Sequence, residues 1–232
     1  MFIGGIGVLG NVLRHSDDSS VGTFREIHDL DVVLRSRPYG YIADAFFDSL
    51  DTKKSSLSIP GKLVFQGFCF DINGEQIPET WMDLYVPNGN SRRGATVNGV
   101  NFDYYQWESR KTANLFGIPF NVANPLTLLY LKLDITTGKK SLRRIKDCQD
   151  IVNLMGVLER DSCPPVEVYN GLTVPQRSKL KEVFSENCQL CEGCGIRDCR
   201  QLIKPSESYI KEIFKYKEEN KPQDNHENTS TE

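Results

Sequence analysis

The sequence lacks the segments that direct a chain into or across a membrane. Its first residues carry neither the positive charge nor the cleavage site of a signal peptide, so we expect none. The longest apolar runs, such as residues 126–133, are far too short to span a bilayer. No internal repeat is present. We therefore expect a soluble cytoplasmic protein without a membrane partner.

Net positive charge is also missing. The 28 Lys and Arg residues against 31 Asp and Glu residues leave a net charge of -3, which argues against broad electrostatic binding to nucleic acid. Hydrophobic residues make up 39% of the chain and charged residues 25%, as in ordinary globular proteins. The 232 residues are enough for one good core, or for a main domain with a small appendage.

Four of the seven cysteines lie close together, with the spacing C-x2-C-x2-C-x4-C. A cluster this tight suits a metal site in a reducing compartment rather than a disulfide framework. Four thiolates can bind Zn2+. They can equally hold a [4Fe-4S] cluster, although the last gap is one residue longer than in the ferredoxin run. Zinc is slightly favoured, and the ligands in either case are Cys188, Cys191, Cys194 and Cys199.

Strand and helix patterns alternate in the first half of the chain and give way to helices in the second. Strand patterns occur at 1–3, 27–34, 62–72, 80–86, 99–107 and 118–122. Helical patterns occur at 6–14, 39–50, 124–133, 142–158, 175–184 and 206–216. This order predicts an α+β (mixed α/β) fold. We expect a small mixed sheet flanked by helices, followed by a helical C-terminal part that carries the cysteine cluster.

Three aspartates are candidate metal ligands. Asp29 and Asp31 stand two apart on a predicted strand, so their side chains project to one face, roughly 6–7 Å apart by the rise of a strand. Asp83 is the only charge in the otherwise apolar stretch 81–85, where an unpaired buried carboxylate would be costly. Carboxylates are ligands that Mg2+ prefers, and three of them can clamp two ions for phosphoryl chemistry.

Two glycines, Gly4 and Gly5, precede the first predicted helix. Because they have no side chains, their backbone N–H groups and the helix N-terminus can approach phosphates closely. The pair is stronger evidence for a phosphate site because a helix, Arg25 and the acidic strand follow it along the chain. This order indicates a phosphate site beside the acids.

The same order resembles the minimal nucleotidyltransferase fold, and more narrowly the abortive-infection (type IV toxin) nucleotidyltransferases and their uncharacterised relatives. Along the chain of those proteins, a strand is followed by Gly-Gly or Gly-Ser, a helix and the motif R-x-[ST]-x-D-[IL]-D. A third acid lies on a later strand. Arg25 stands four residues before Asp29, as in that pattern. Lys132 matches a lysine of their helical half, and residues 144–150 match its R-x-K-D-x-x-D segment. The resemblance covers residues 1–158.

The resemblance implies a metal-dependent transfer of a nucleoside monophosphate from a nucleoside triphosphate (NTP) to an acceptor, which is a tRNA, a protein or a small molecule. It implies that Asp29, Asp31 and Asp83 are catalytic and bind Mg2+ or Mn2+. It also implies a set of nucleotide-binding residues, which are Gly4, Gly5, Arg25, Lys132, Lys146, Asp147 and Asp150.

Departures from the family pattern keep other functions open. Ile27 replaces the Ser or Thr usually found two residues before the first acid, the gap from Gly5 to Asp29 is long, and the chain starts inside the first strand. Ile27 and the absence of the helix that normally precedes the first strand motivate a non-catalytic nucleotide-binding partner of the toxin–antitoxin type with a metal-cluster module, whereas the three intact acids favour the enzyme. A third possibility is an interaction module in which the cysteine cluster is the working part.

On this interpretation the chain has four parts. Residues 1–123 form a nucleotidyltransferase-like catalytic domain, and residues 124–163 form a helical part that completes its cleft. Residues 164–216 form a helical appendage with the cysteine cluster. Residues 217–232 are polar, without aromatic or aliphatic side chains, and are expected to be disordered.

Overall fold

A computed structural model describes residues 1–16, 24, 27, 29–35, 53–54, 62–70, 76–85, 87, 94–135, 145–184 and 203–219. Within these ranges the fold is mixed α+β, as predicted. The strands are β1 (Phe2–Ile3), β2 (Asp29–Val33), β3 (Lys53–Lys54), β4 (Lys62–Phe70), β5 (Gln76–Tyr85), β6 (Ala95–Val97), β7 (Val100–Phe102), β8 (Lys111–Leu115) and β9 (Ile118–Val122). The helices are α1 (Gly4–Leu13), α2 (Tyr104–Glu108), α3 (Pro125–Ile135), α4 (Ile145–Arg160), α5 (Pro165–Gly171), α6 (Val174–Val183) and α7 (Glu207–Glu219).

Seven of the described strands form one mixed sheet, in the order β3-β4-β5-β2-β1-β9-β8. β2 runs parallel to β5 and β1 runs parallel to β9, while the other neighbours are antiparallel. β6 and β7 form a separate antiparallel hairpin. The acidic strand β2 is therefore the middle strand of the large sheet, with the other acidic strand, β5, directly beside it.

One predicted strand, at 99–107, is wrong in its second half. The structure has β7 only as far as Phe102, and α2 follows it. Asp103 ends the strand because its carboxylate accepts hydrogen bonds from the backbone N–H groups of Tyr105 and Gln106, which caps the helix. Tyr104, Tyr105 and Trp107, which the prediction placed in the strand, lie on this short helix instead.

The second half of the described chain is helical, as predicted. α3 begins at Pro125 because the side chain of Asn124 accepts a hydrogen bond from the N–H of Leu126 at 2.9 Å. α7 runs to Glu219, three residues into the segment expected to be disordered, since lysine and glutamate there are good helix formers. The predicted helix at 39–50 and the rest of the predicted tail lie outside the described residues.

The core joins the sheet to the helices. Sheet residues such as Val33 and Val122 and helix residues such as Leu129 and Leu154 are all buried, and α1 packs against both the sheet and the helices α3 and α4. One cluster of buried residues extends from Ile3 as far as α7. None of the described helices combines the length and the apolar character that a membrane span requires.

A polar clamp joins the end of α1 to the end of α4. Arg14 donates two hydrogen bonds to the carboxylate of Asp161, at 2.7 and 3.0 Å, and the Nε2 atom of His15 lies 2.8 Å from the same carboxylate. Burial alone would raise the pKa of Asp161. The hydrogen bonds and charge of Arg14, followed by those of His15, outweigh burial and hold that pKa below its ordinary value.

Replacing Asp161 by asparagine is expected to lower the free energy of unfolding at neutral pH by about 1.5–3 kcal/mol, as for hydrogen bonds to charged groups. Because the pKa is lowered in the folded state, this contribution is complete above the ordinary aspartate pKa of about 4. It is lost as the pH falls through the lowered pKa. Urea unfolding at neutral and acid pH checks this, and a difference from wild type that stays constant in acid would contradict it.

Candidate active site

A cleft lies where the start of α1, the middle of the sheet and the two helices α3 and α4 meet. It encloses about 530 Å³, part of which is open to solvent. Its lining combines acidic, basic and apolar side chains with the glycines at the start of α1. The residues are Ile3, Gly4, Gly5, Asp29, Asp31, Tyr85, Val97, Asn98, Leu128, Leu131, Lys132 and Lys146. Six of the residues identified from the sequence are among them, namely Gly4, Gly5, Asp29, Asp31, Lys132 and Lys146.

The three aspartates lie on the two neighbouring central strands. Asp29 and Asp31 alternate on β2 and both line the cleft. Asp83 on β5 is the direct partner of Asp31 in the parallel register, so the two side chains leave the sheet on the same side. Asp31 and Asp83 are half-buried. The sheet therefore gathers the acids that the sequence placed on two separate strands, although Asp83 itself is not among the residues that line the cleft.

Gly4 brings the main chain close to these aspartates. Its φ of +60° lies in the left-handed region that favours glycine. A Cβ atom added to Gly4 would also collide with the Oδ2 atom of Asp31. Two independent reasons thus require glycine at this position. The start of α1 lies beside the Asp31 carboxylate as a result.

Replacing Gly4 by alanine is expected to destabilise the fold by more than the ~1–2 kcal/mol of left-handed backbone strain, because the new methyl group must also displace Asp31. Gly117→Ala is the matched control, since Gly117 has a φ of +83° but has no atom within 4 Å of an added Cβ. Urea unfolding of both variants measures the difference. The excess cost should shrink when Gly4→Ala is combined with Asp31→Ala, and equal costs for the two glycines would contradict this account.

Tyr85 is a site residue that the sequence interpretation missed. Its hydroxyl donates a hydrogen bond to Oδ1 of Asp31 at 3.4 Å. Burial, followed by the negative charges of Asp31, Asp83 and Asp29, raises the pKa of this hydroxyl well above its ordinary value. The phenol therefore stays protonated and remains a donor. The alternation of strand side chains, which puts Tyr85 on the same face as Asp83, is the signal that could have identified it.

Lys132 on α3 reaches the cleft from the helical side. Its ammonium group lies 2.7 Å from Oδ2 of Asp150 and 3.2 Å from Oδ1 of Asp147, and only 7% of the lysine side chain is exposed. The two carboxylates are buried on α4, with 0–1% exposure. This arrangement fixes the position of the lysine, because a buried ammonium group and buried carboxylates are stable only when they are paired.

The remaining predicted nucleotide-binding residues are placed differently from one another. Lys146 lines the cleft and is half-buried. Asp147 and Asp150, expected to line the cleft, instead lie buried against Lys132 and are not among the lining residues. Arg25 lies outside the described residues. So do the four clustered cysteines, Cys188, Cys191, Cys194 and Cys199.

The three aspartates can offer a divalent cation only part of its ligand shell. Within the described ranges, no three His, Cys, Asp or Glu side chains are already arranged as a metal site. Mg2+ commonly takes only one or two protein carboxylates and completes its shell with water and substrate phosphates. The side chains of Asp29 and Asp31, with Asp83 beside them, fit that kind of shared site, since all are hard oxygen donors at the cleft.

The hairpin of β6 and β7 closes one side of the cleft and was also missed as part of the site. Val97 and Asn98 at its turn are lining residues. Asn98 and Gly99 both have positive φ, of 47° and 81°, as a two-residue hairpin turn requires. The Asn-Gly dipeptide is the signal that predicts this turn.

No protein-family model and no curated protein sequence matches the chain.

Proposed function

We propose that this chain is a metal-dependent nucleotidyltransferase that transfers a nucleoside monophosphate from an NTP to a hydroxyl group of a tRNA, a protein or a small molecule. One observation carries the proposal. Two carboxylates, with a third in register beside them, share a cleft with a helix N-terminus and two lysines. Hard anionic ligands next to phosphate-binding groups suit the reaction centre of phosphoryl chemistry.

Other groups of the same cleft would bind the polyphosphate. The first N–H groups of α1, at Gly4 and Gly5, suit phosphate oxygens because they have no partner within the helix and carry its positive end. Lys132 and Lys146 face the cleft from the other side and would neutralise further phosphate charge. The buried carboxylates Asp147 and Asp150 would hold Lys132 in position rather than contact the nucleotide.

Asp29, Asp31 and Asp83 would hold Mg2+ or Mn2+, and the ion would supply Lewis-acid polarisation of the α-phosphate. Tyr85 would keep Asp31 oriented through its hydrogen bond. In the reaction the acceptor oxygen bonds to the α-phosphorus while the bond to the β-phosphate oxygen breaks. Pyrophosphate leaves with that electron pair, and the hydroxyl proton passes to solvent.

A labelling experiment tests the proposal. The purified protein is incubated with Mg2+ and each common NTP, labelled either at the α- or at the γ-phosphate, with total tRNA and cell lysate as acceptors. Nucleotidyl transfer moves the α-label and never the γ-label to the acceptor, whereas a kinase does the reverse. Transfer of the α-label supports the proposal, and the labelled band gives the acceptor class.

Two other outcomes have definite meanings. NTP binding without transfer of either label would replace the enzyme by the non-catalytic nucleotide-binding partner. Absence of both binding and transfer would reject a nucleotide function for the cleft, and the cysteine cluster would then become the candidate for the working part. The cluster itself is tested by measuring zinc and iron in anaerobically purified protein.

A further inference from the structure

The part of the cleft lining that the hairpin of β6 and β7 supplies carries no charge, since it consists of Val97 and Asn98. The charged lining groups come from the aspartates of β2 and from the lysines of α3 and α4. Apolar residues of other elements, Ile3, Leu128 and Leu131, also line the cleft. Among the described lining residues, only Tyr85 and Asn98 carry uncharged polar side chains, and the Tyr85 hydroxyl is bonded to Asp31. Asn98 is thus the neutral polar group that the hairpin offers to a ligand.

The hairpin holds Asn98 rigidly at this place. Ala95, Val97 and Phe102 anchor the hairpin in the core with 0–3% exposure. The positive φ of Asn98 belongs to the tight turn itself, and asparagine is one of the few residues that adopt it readily. A fixed backbone reduces the entropy lost when the exposed carboxamide binds a partner.

We propose that the carboxamide of Asn98 reads the nucleobase of the bound NTP and sets the base preference of the site. This inference rests on the proposed nucleotide function. The triphosphate would bind near the charged groups of β2, α3 and α4, which leaves the uncharged hairpin to the base and sugar. A carboxamide offers a donor and an acceptor side by side, and such a pair matches the edge of a base and discriminates between bases.

Equilibrium binding to the full-length protein in Mg2+ tests the inference. The ligands are ATP, CTP, GTP, UTP and inorganic tripolyphosphate, which has the charge but no base. Asn98→Gly removes the carboxamide and keeps the positive φ, because glycine adopts it freely. Asn101→Ala is the matched control. Asn101 is exposed on the same hairpin but is not a lining residue, and it pairs with Thr96 on the face opposite the buried residues.

Wild type and Asn101→Ala should prefer one base over the others by on the order of tenfold, the discrimination that one amide–base pair provides. Asn98→Gly should lose this preference while its affinity for tripolyphosphate stays unchanged. Asn98→Asp, whose carboxylate only accepts hydrogen bonds, should shift the preference towards guanine, the base with two adjacent donors on its pairing edge.

The inference is overturned if Asn98→Gly keeps the wild-type base preference, or if its affinity for tripolyphosphate falls as much as its affinity for NTPs. In both cases tripolyphosphate and NTPs still bind the wild type, so the proposed function survives. If the wild type binds neither tripolyphosphate nor any NTP, the proposed function fails and the inference fails with it.

Discussion

Replacing Asp29 or Asp31 by asparagine should reduce transfer of the α-label about a thousandfold, which corresponds to the several kcal/mol that a bound metal ion contributes to phosphoryl transfer. Asparagine has nearly the same shape as aspartate but lacks the negative charge, so the variant tests the charge at the cleft rather than the packing. Both residues line the cleft from the middle strand of the sheet. A combined Asp29→Asn/Asp31→Asn variant should lose much less than the product of the two single losses, because the residues act as one unit.

Asp103→Asn is the matched control for this substitution. It neutralises an aspartate outside the cleft, and asparagine can still cap α2 through its side-chain oxygen. The control should transfer the label at the wild-type rate. Circular dichroism and urea unfolding establish that all variants are folded. Wild-type transfer rates in both cleft variants would contradict the assignment of Asp29 and Asp31 to the reaction centre.

Lys132→Met should lower the free energy of unfolding by about 3–5 kcal/mol, the cost of removing one partner from a buried ion pair. The reason is that the carboxylates of Asp147 and Asp150, with 0–1% exposure, would lose the ammonium group that lies within 2.7–3.2 Å of them. Methionine retains most of the hydrophobic stem of lysine, so little packing is lost. Urea unfolding at neutral pH measures the change.

The exposed ion pair of Lys211 and Glu207 provides the control for this prediction. These side chains are 73% and 88% exposed, and their pair on α7 bridges one turn of the helix. Lys211→Met should therefore change the free energy of unfolding by less than about 0.5 kcal/mol. Equal effects at the two lysines would show that the buried arrangement around Lys132 does not stabilise the fold.

A triple variant separates the structural role of Lys132 from its proposed role in binding phosphate. Combining Lys132→Met with Asp147→Asn and Asp150→Asn removes the charges of all three residues, and replacing both sides of a buried ion pair costs less than removing one. Most of the lost stability should return. The affinity for tripolyphosphate should remain low, because the ammonium group is still missing. Recovery of that affinity together with the stability would show that Lys132 acts only in folding.

Local pattern was sufficient to predict several elements of the fold, although not β6, which contributes to the site. The strand at 118–122 has the predicted bounds, and the helix that follows Asn124 begins where its cap indicated. The alternation of Asp29 and Asp31 likewise follows from the two-residue period of a strand. These features are predictable because each depends only on residues a few positions apart.

The wrong prediction of a strand through residue 107 also came from local sequence pattern. Aromatic residues have high strand propensity, and this propensity favoured a continuous strand. The structure instead ends β7 at Phe102, because the Asp103 carboxylate satisfies backbone donors that only a helix presents. A capping residue inside an aromatic stretch is a weaker signal in the sequence than the stretch itself.

The sequence by itself determined the mixed fold class, the change from strands to helices after residue 123, and the fact that the two acids of β2 share one face. Tertiary structure decided that Asp83 is paired with Asp31, that Lys132 is held by Asp147 and Asp150, and that Tyr85 and Asn98 enter the cleft. The physical reason is the separation along the chain of the residues that interact. Helical and strand periods and caps act between near neighbours, whereas strand register and buried pairing depend on segments that meet only when the core forms.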